Sequence, residues 1–370
     1  MAYKICVYAI AKNEEAFVDR FCDSAAEADY IAVLDTGSED TTVEKLKARG
    51  TIVAKKIIEP WRFDEARNRS LDLIPADTDI AVCLDLDEVL LPGWREALEK
   101  AWSDGAECGR FTNIRSRHGD GTPGTAFLQT KLHKPGTMRW KYPVHEVLVR
   151  VDGRTEGADV TVADMTVEHL PDNSKSRAQY LPLLELAAAE NPKDARCAHY
   201  LGREYMYYGR WDEAVRELTR HLALPSATWT EERAASMRYL SRCWAGKGNK
   251  AKAMRWAMRA VCERPEMRET WYEAERAAYE VQDWIGVRYY GEHAAAITER
   301  SDTAINEAEA WGAGVHDLLS LAYWHMGEPA LAAESGAKAL ALAPCNARLQ
   351  RNLEYYQAAA RKEAMTCPFG

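Results

Sequence analysis

The stretch Ile80-Ala81-Val82-Cys83-Leu84-Asp85-Leu86-Asp87-Glu88 decides how the rest of the chain is read. Its apolar run is short and uninterrupted, as in a buried strand of a parallel sheet. It stops on two carboxylates separated by one apolar residue. In an extended chain alternate side chains share a face, so Asp85 and Asp87 are expected to point one way and Leu86 the other. Ligands of open α/β sheets bind just beyond the carboxyl ends of the strands. Two hard oxygen donors there suit a Mg²⁺ or Mn²⁺ that also holds substrate phosphates. The competing reading is a solvated strand end with turn-forming aspartates, and the D-x-D pattern alone does not choose between them.

Upstream, Lys4–Ile10, Tyr30–Leu34 and Thr51–Ile57 read as strands, with helices expected over Thr41–Arg49 and from Trp61 onward. Strands alternating with helices predict a mostly parallel, doubly wound α/β sheet. Right-handed crossovers then carry Asp35, Asp85 and Asp87 to one carboxyl edge. No G-x-G-x-x-G follows the first strand, which argues against a dinucleotide-binding enzyme. Downstream of a helix over Trp94–Trp102 the pattern turns antiparallel, with strands over Gly109–Arg115 and Ala126–His133 and another over Thr161–Glu168.

Four elements in this order, Ala9-Ile-Ala-Lys-Asn13-Glu14-Glu15, Asp35-Thr-Gly37-Ser38-x-Asp40-x-Thr42, Phe63-x-x-Ala66-Arg67-Asn68 and Leu84-Asp85-x-Asp87-Glu88, resemble glycosyltransferase family two, of GT-A fold. The resemblance covers about residues 3 to 180. It implies a nucleoside-diphosphate-sugar donor, probed first as a UDP-sugar, and a Mn²⁺ or Mg²⁺ cofactor. It places Asn13 and Glu14 among the donor-binding residues, Asp35 at the donor's nucleobase or ribose, Arg67 near the donor, Asp85 near the ribose or sugar, and Asp87 on the metal. A salt bridge to a neighbouring carboxylate is the alternative for Arg67.

The segment Arg139-Trp140-Lys-Tyr142-Pro-Val-His145-Glu146 then corresponds to the acceptor subsite, with Arg139 and Trp140 as acceptor contacts. Inverting transfer needs a general base beside the acceptor nucleophile, and Glu146 is the first candidate, His145 the second. A hydrogen-bonded strand pair is the plain alternative for these two. His169, after the last strand, would complete the metal shell with Asp87 and Asp85. Lys175 and Arg177 would neutralise the leaving diphosphate as charge develops on it.

From Asp194 onward the chain is helical and repetitive. Leu201-Gly202-x-x-Tyr205-x-x-x-Gly209-x-x-x-x-Ala214 recurs as Leu240-Ser241-x-x-Trp244-x-x-x-Gly248-x-x-x-x-Ala253 and as Ser320-x-x-Tyr323-x-x-x-Gly327-x-x-x-x-Ala332, with a degenerate copy over Trp271–Ala294. This looks like the tetratricopeptide repeat. Aligned starts near 195, 234, 268 and 313 differ by 39, 34 and 45 residues, so the solenoid is irregular. The expected domains are 1–180, a GT-A transferase, and 181–370, an all-α repeat solenoid with a continuous core.

Bulk properties bound the function. The 370 residues are 47% hydrophobic and 28% charged, an ordinary globular balance with room for two cores. No run of 18 apolar residues occurs and no signal-like segment opens the chain, so a cytoplasmic protein without a membrane span is expected. Nine scattered cysteines without C-x-x-C spacing fit reduced core residues. The net charge of −9 opposes a generally basic nucleic-acid binder, but the charge is uneven. Arg110–Arg154 holds nine Lys/Arg against three acids, and Arg233–Arg264 nine against one. Glu266–Glu309 reverses this with eleven acids and four arginines.

Those bands either pair internally or present a surface, with Arg242 and Arg255 among the acceptor-binding candidates. A transferase fused to repeats is similar to sublancin-type peptide S-glycosyltransferases and to phage-type enzymes that glycosylate hydroxymethylated DNA bases. The basic stretches tilt the expectation toward DNA, the repeats toward peptide. From another class, a non-catalytic scaffold with a degenerate transferase domain is the rival. Oligomeric state is left open, a homodimer being one admissible state.

Overall fold

The computed structural model describes residues 3–117, 121–171, 179–301, 303 and 305–366. The chain divides into two compact units between Ala187 and Ala188, inside the helix Tyr180–Glu190.

In the first unit, β1 (Ile5–Ala11), α1 (Val18–Ser24), β2 (Tyr30–Asp35), α2 (Thr42–Ala48), β3 (Ile52–Lys55), α3 (Phe63–Leu71) and β4 (Ile80–Cys83) alternate as the hydrophobic pattern predicts. There follow β5 (Glu88–Leu90), α4 (Trp94–Ala101), β6 (Cys108–Arg117), β7 (Pro123–His133), β8 (Met138–Lys141), β9 (Val147–Arg150) and β10 (Asp159–His169). The main sheet has the order β3-β2-β1-β4-β7-β6-β10-β5, and β8 and β9 form a separate antiparallel pair. From β3 to β4 every pairing is parallel; β7 enters antiparallel to β4 and β6, and β6 and β10 pair parallel.

Because strand side chains alternate, β1 and β4 feed two cores at once. Ile5, Val7, Ile80, Val82 and Leu84 join one cluster with Phe21 of α1, Leu46 of α2 and Trp94 of α4. Cys6, Tyr8, Ala81 and Cys83 face the other way, onto Trp140 and the α3 side, where Leu71 packs. Both faces of these strands are buried, which is why their sequence is a continuous apolar run instead of an alternating one.

The second unit begins inside α5 (Tyr180–Glu190) and continues as α6 (Ala195–Tyr207), α7 (Trp211–Ala223), α8 (Thr230–Gly246), α9 (Lys250–Glu263), α10 (Arg268–Tyr279), α11 (Trp284–Ala296), α12 (Ala308–Trp311), α13 (Gly314–His325), α14 (Pro329–Leu342) and α15 (Ala347–Thr366). Four helix pairs coincide with the four repeats expected from the sequence. Small residues let the helices of a pair approach: a Cβ on Gly202 would come within 2.7 Å of the Leu218 side chain. Each turn inside a pair needs a left-handed residue, supplied by Gly209, Gly248 and Gly327 with φ of 68°, 74° and 78°. In the degenerate repeat Gln282 takes that position, at φ 57°. The 45-residue offset before the last pair is filled by an insertion that carries α12. Among the described residues no helix is long and apolar enough to cross a membrane.

Candidate functional site

The carboxyl edge of the parallel strands is built from interlocked loops. After β1, Asn13 turns the chain at φ 55°; its N–H donates to Ser38 Oγ (2.9 Å) and its Oδ1 accepts from Glu39 N–H (2.8 Å). Glu14 N–H donates to Thr42 Oγ1 (2.8 Å), tying this loop to the one that follows β2. Asp35 has no exposed surface: its carboxylate accepts the N–H groups of Gly37 and Ser38 at 3.0–3.1 Å. In this state Asp35 shapes the loop instead of facing solvent.

The D-x-D segment is not extended. Glu88 N–H donates to Asp85 O (2.9 Å), closing a turn over Leu86 and Asp87. Leu86 is buried, as expected, but the two aspartates serve different partners. Asp85 Oδ1 accepts from Arg67 Nη2 (2.6 Å) and Oδ2 from Lys131 Nζ (3.0 Å). Lys131 also donates to Glu88 Oε2 (2.8 Å), and Asn113 Nδ2 to Glu88 Oε1 (2.9 Å). Glu88 is wholly buried and Lys131 and Arg67 nearly so, each 4% exposed. Charges this deep persist only as a matched network. Burial pushes the Asp85 carboxyl up, but Arg67 and Lys131 outweigh it and hold Asp85 well below the usual carboxylate range. Burial likewise opposes the charge on Lys131, and Asp85 and Glu88 more than restore it.

Each Asp85 oxygen accepts from a cation, Arg67 or Lys131, so in this state its carboxylate is engaged by protein partners instead of standing free as a metal ligand. Asp87 stands apart. Strand β10 pairs antiparallel with β5, setting His169 opposite Glu88, and this register brings His169 Nε2 to 3.1 Å from Asp87 Oδ2. Both side chains keep about a fifth of their surface open, 24% for Asp87 and 19% for His169. A carboxylate oxygen and an imidazole nitrogen converging at a partly open edge fit a divalent cation, which Asp87 and His169 would hold. Lys175 and Arg177 lie outside the described residues.

Helix α3 anchors the expected acceptor segment at three points. Phe63 N–H donates to Pro143 O (3.0 Å), Asn68 exchanges hydrogen bonds with the backbone of Trp140 (2.8 and 2.9 Å), and Arg67 Nε donates to Glu146 Oε1 (2.5 Å). One guanidinium thus spans Asp85 and Glu146, so the salt-bridge alternative for Arg67 holds while keeping it in the site. His145 sits at φ 52°, its ring 5.9 Å from that of Tyr180. Trp140 as an acceptor contact is corrected: it is 4% exposed, donates Nε1–H to Tyr8 Oη (3.0 Å) and belongs to the core. Tyr8 Oη in turn meets His133 Nε2 at 2.8 Å, and burial pulls His133 down to about 4, so it stays neutral. Arg139 is exposed.

Residues 6–154 match the family model described as "Glycosyl transferase family 2". This segment is a family 2 glycosyltransferase domain. Apart from Ile5, strands β1 to β9 and their loops fall inside the match, whereas His169 lies beyond it. Family 2 enzymes take nucleotide-sugar donors and usually a divalent metal. Among solved structures, similar chains include a MamA protein (18% identity, 46% of this chain and 86% of that one, TM-score 0.37). A thermophilic TPR protein of Thermus thermophilus matches at 20% identity over 49% of this chain and 88% of its own, with a TM-score of 0.35. Pseudomonas aeruginosa PilF matches at 16% identity over 48% and 72%, with a TM-score of 0.37. No curated protein matches the chain.

In the repeat unit the basic band is largely spent. Arg238, wholly buried, lies 3.1 Å from Glu307, and Arg242 donates to both Glu273 (2.8 Å) and Glu307 (2.5 Å). Arg233 pairs with Glu263, Arg264 with Glu231 and Glu266, and Lys247 with Asp212. Lys252 and Arg259 lie over the rings of Trp244 and Trp256. Arg242 as an acceptor contact is corrected, because its guanidinium is committed to carboxylates from α10 and the insertion. Arg255 is exposed.

Sequence reasoning missed Lys131 and the structural weight of Glu88. The signal was a lysine inside the apolar end of a strand, Thr130-Lys131-Leu132-His133, which has to find acids once buried.

Proposed function

We propose that the chain transfers a sugar from a nucleoside-diphosphate sugar to a polypeptide acceptor, with Asp87 and His169 holding Mn²⁺ or Mg²⁺. The observation that carries this reading is the β5–β10 register, which brings an imidazole nitrogen within 3.1 Å of the second D-x-D carboxylate. When bound, the ion supplies positive charge to the donor's diphosphate. The loops of Asn13–Glu14 and Asp35–Ser38 bind the nucleoside side of the donor. Lys175 and Arg177 supply further charge to the departing diphosphate.

Glu146 serves as general base, His145 being the alternative. The acceptor hydroxyl or thiol attacks the anomeric carbon, its proton passes to Glu146, and the bond from that carbon to the diphosphate oxygen breaks, inverting the centre. Arg67 holds Glu146 in place through Nε while its Nη2 is fixed on Asp85.

Charge pairing favours a polypeptide over DNA. A duplex is gripped through free cations, and most of those in Arg233–Arg264 are neutralised within the fold. The repeat unit instead leaves aromatic surface open, including Tyr207, Tyr208, Trp229 and Tyr289. Tyrosine and tryptophan are enriched where proteins bind proteins.

The test is a screen of UDP-, GDP-, dTDP- and CMP-sugars with Mn²⁺, reading nucleotide release with peptide libraries or with hydroxymethylcytosine DNA. Release stimulated by peptide, with a matching mass increase on the peptide, is expected. Stimulation by DNA alone would overturn the acceptor, and silence with every donor would overturn the transferase in favour of a scaffold.

A further inference from the structure

Outside the transferase site, the repeat unit buries a second group of metal-ligating side chains. His199 on α6, His221 on α7 and Glu232 on α8 each offer one ligand atom, and these atoms lie within 4.8 Å of one another. The three are 2%, 0% and 6% exposed. Among the described residues this is the one group of three or more such ligands.

The helical repeat accounts for their proximity. His199 lies one turn into α6, His221 in the last turn of α7 and Glu232 in the first turn of α8. Consecutive antiparallel helices bring the end of α7 beside the start of α8, and α6 packs against both. Apolar side chains would fill such a core position more cheaply than two imidazoles and a carboxylate.

The hydrogen bonding is lopsided. His199 Nδ1 is fixed by Ser236 Oγ at 2.8 Å, which settles the ring's orientation. The ring of His221 meets that of His199 edge-on, with centroids 5.3 Å apart. Neither ring nitrogen of His221 makes a hydrogen bond, although Nε2 lies 3.2 Å from Glu232 Oε1. A buried imidazole always carries a donor, an acceptor or both, and leaving them unmatched is a cost that folds avoid.

We propose that His199, His221 and Glu232 bind a late first-row divalent cation of the Zn²⁺ class, clamping three successive helices at the start of the repeat array. Two imidazoles and one carboxylate are a complete three-ligand zinc set, with the fourth position left to water. Ser236 is the outer partner that orients His199, as metal-bound histidines usually require. The guanidiniums of Arg196 and Arg203 lie over the Tyr200 ring, at 4.7 and 4.6 Å, and Arg238 is engaged by Glu307.

The experiment uses the full chain with Asp87→Ala and His169→Ala introduced, so that the transferase pair contributes no binding. After treatment with a chelator, Zn²⁺ is titrated calorimetrically and by thermal unfolding, and Co²⁺ by its visible absorption. One equivalent of Zn²⁺ is expected to bind and raise Tm, with Co²⁺ giving a spectrum of nitrogen and oxygen ligation. His221→Gln and Glu232→Gln should abolish both effects, and Ser236→Ala should weaken binding about 10- to 100-fold. Should His221→Gln fail to fold, Glu232→Gln and Ser236→Ala carry the decision. No Tm rise at millimolar Zn²⁺, or a rise that survives Glu232→Gln and Ser236→Ala undiminished, overturns the proposal.

Discussion

Replacing Lys131 by methionine keeps the stem and removes one charge from the most deeply buried part of the site. The ammonium donates to Asp85 at 3.0 Å and to Glu88 at 2.8 Å, and the side chain is 5% exposed. Without it Glu88, with no exposed surface, keeps Asn113 Nδ2 at 2.9 Å, the Asp85 N–H at 3.0 Å and the more distant Arg115 at 3.6 Å. Asp85 keeps Arg67. Breaking a buried pair by removing one partner costs about 3–5 kcal/mol, and these remaining donors put Lys131→Met near the lower end. Adding Glu88→Gln removes the stranded charge as well, so the double variant should recover about 1–2 kcal/mol relative to the sum of the singles. The assay is urea unfolding at neutral pH, with the transferase transition identified as the one that UDP and Mn²⁺ shift. A Lys131→Met variant within about 0.5 kcal/mol of wild type, or strictly additive singles, would refute the view that this network holds the site together.

The two aspartates should separate in binding assays. Asp87→Ala and His169→Ala are expected to collapse the ratio of nucleotide affinities with and without Mn²⁺, whereas Asp85→Asn should weaken both affinities and leave their ratio within about threefold; equal ratios for Asp85→Asn and Asp87→Ala would contradict the division. In the repeat unit, burial pushes the Glu307 carboxyl up, but Arg238 and Arg242 pull it down to about 2. A carboxyl lowered by folding stabilises above its unfolded pKa and loses that stability as pH falls through the folded value. About 3 kcal/mol should therefore fade between about pH 4.5 and 2 in wild type and be missing from Glu307→Gln, as acid titration of thermal unfolding would reveal. Gly248→Ala should cost about 1–2 kcal/mol because the position sits at φ 74°, while Gln282→Gly at φ 57° should be neutral or gain up to about 1 kcal/mol; a stabilising Gly248→Ala in chemical denaturation would be incompatible with this turn geometry.

What the sequence made legible was local. The apolar run Ile80–Leu84 needed no partner to announce a strand covered on both faces, and the Gly and Ala spacing of the repeats announced helix pairs because each pair closes within its own residues. What stayed hidden depends on partners far along the chain. Strand β5 has three residues, too few for a periodic signal, and it exists because β10 pairs with it. Trp140 read as a surface aromatic because its burial is created by Tyr8, 132 residues away. Whether Arg238 and Arg242 pair internally or face outward stayed open because Glu307, which pairs with both, sits far along the chain in the insertion. The missing glycine of the third repeat looked like degeneracy in the sequence; the backbone shows the turn kept and Gln282 bearing the strain.

The D-x-D motif acquires its meaning from this distinction between near and far partners. Read locally, its two carboxylates are equivalent donors on one face. The turn closed by Glu88 N–H onto Asp85 O breaks that equivalence, and the two neighbouring strands complete the division. Strand β7 delivers Lys131 to Asp85 and Glu88, while β10 delivers His169 to Asp87. The first aspartate is thereby fixed by two buried cations, one of which, Arg67, also positions Glu146. The second is free of any cation partner among the described residues and has an imidazole neighbour, the pair proposed to hold the cation. A buried network is stiff because each member is costly to leave unpaired, so Glu146, the proposed general base, is held through Arg67 and Asp85 on one connected support. In that arrangement the proposed chemistry depends on Asp85 without requiring it to touch the metal.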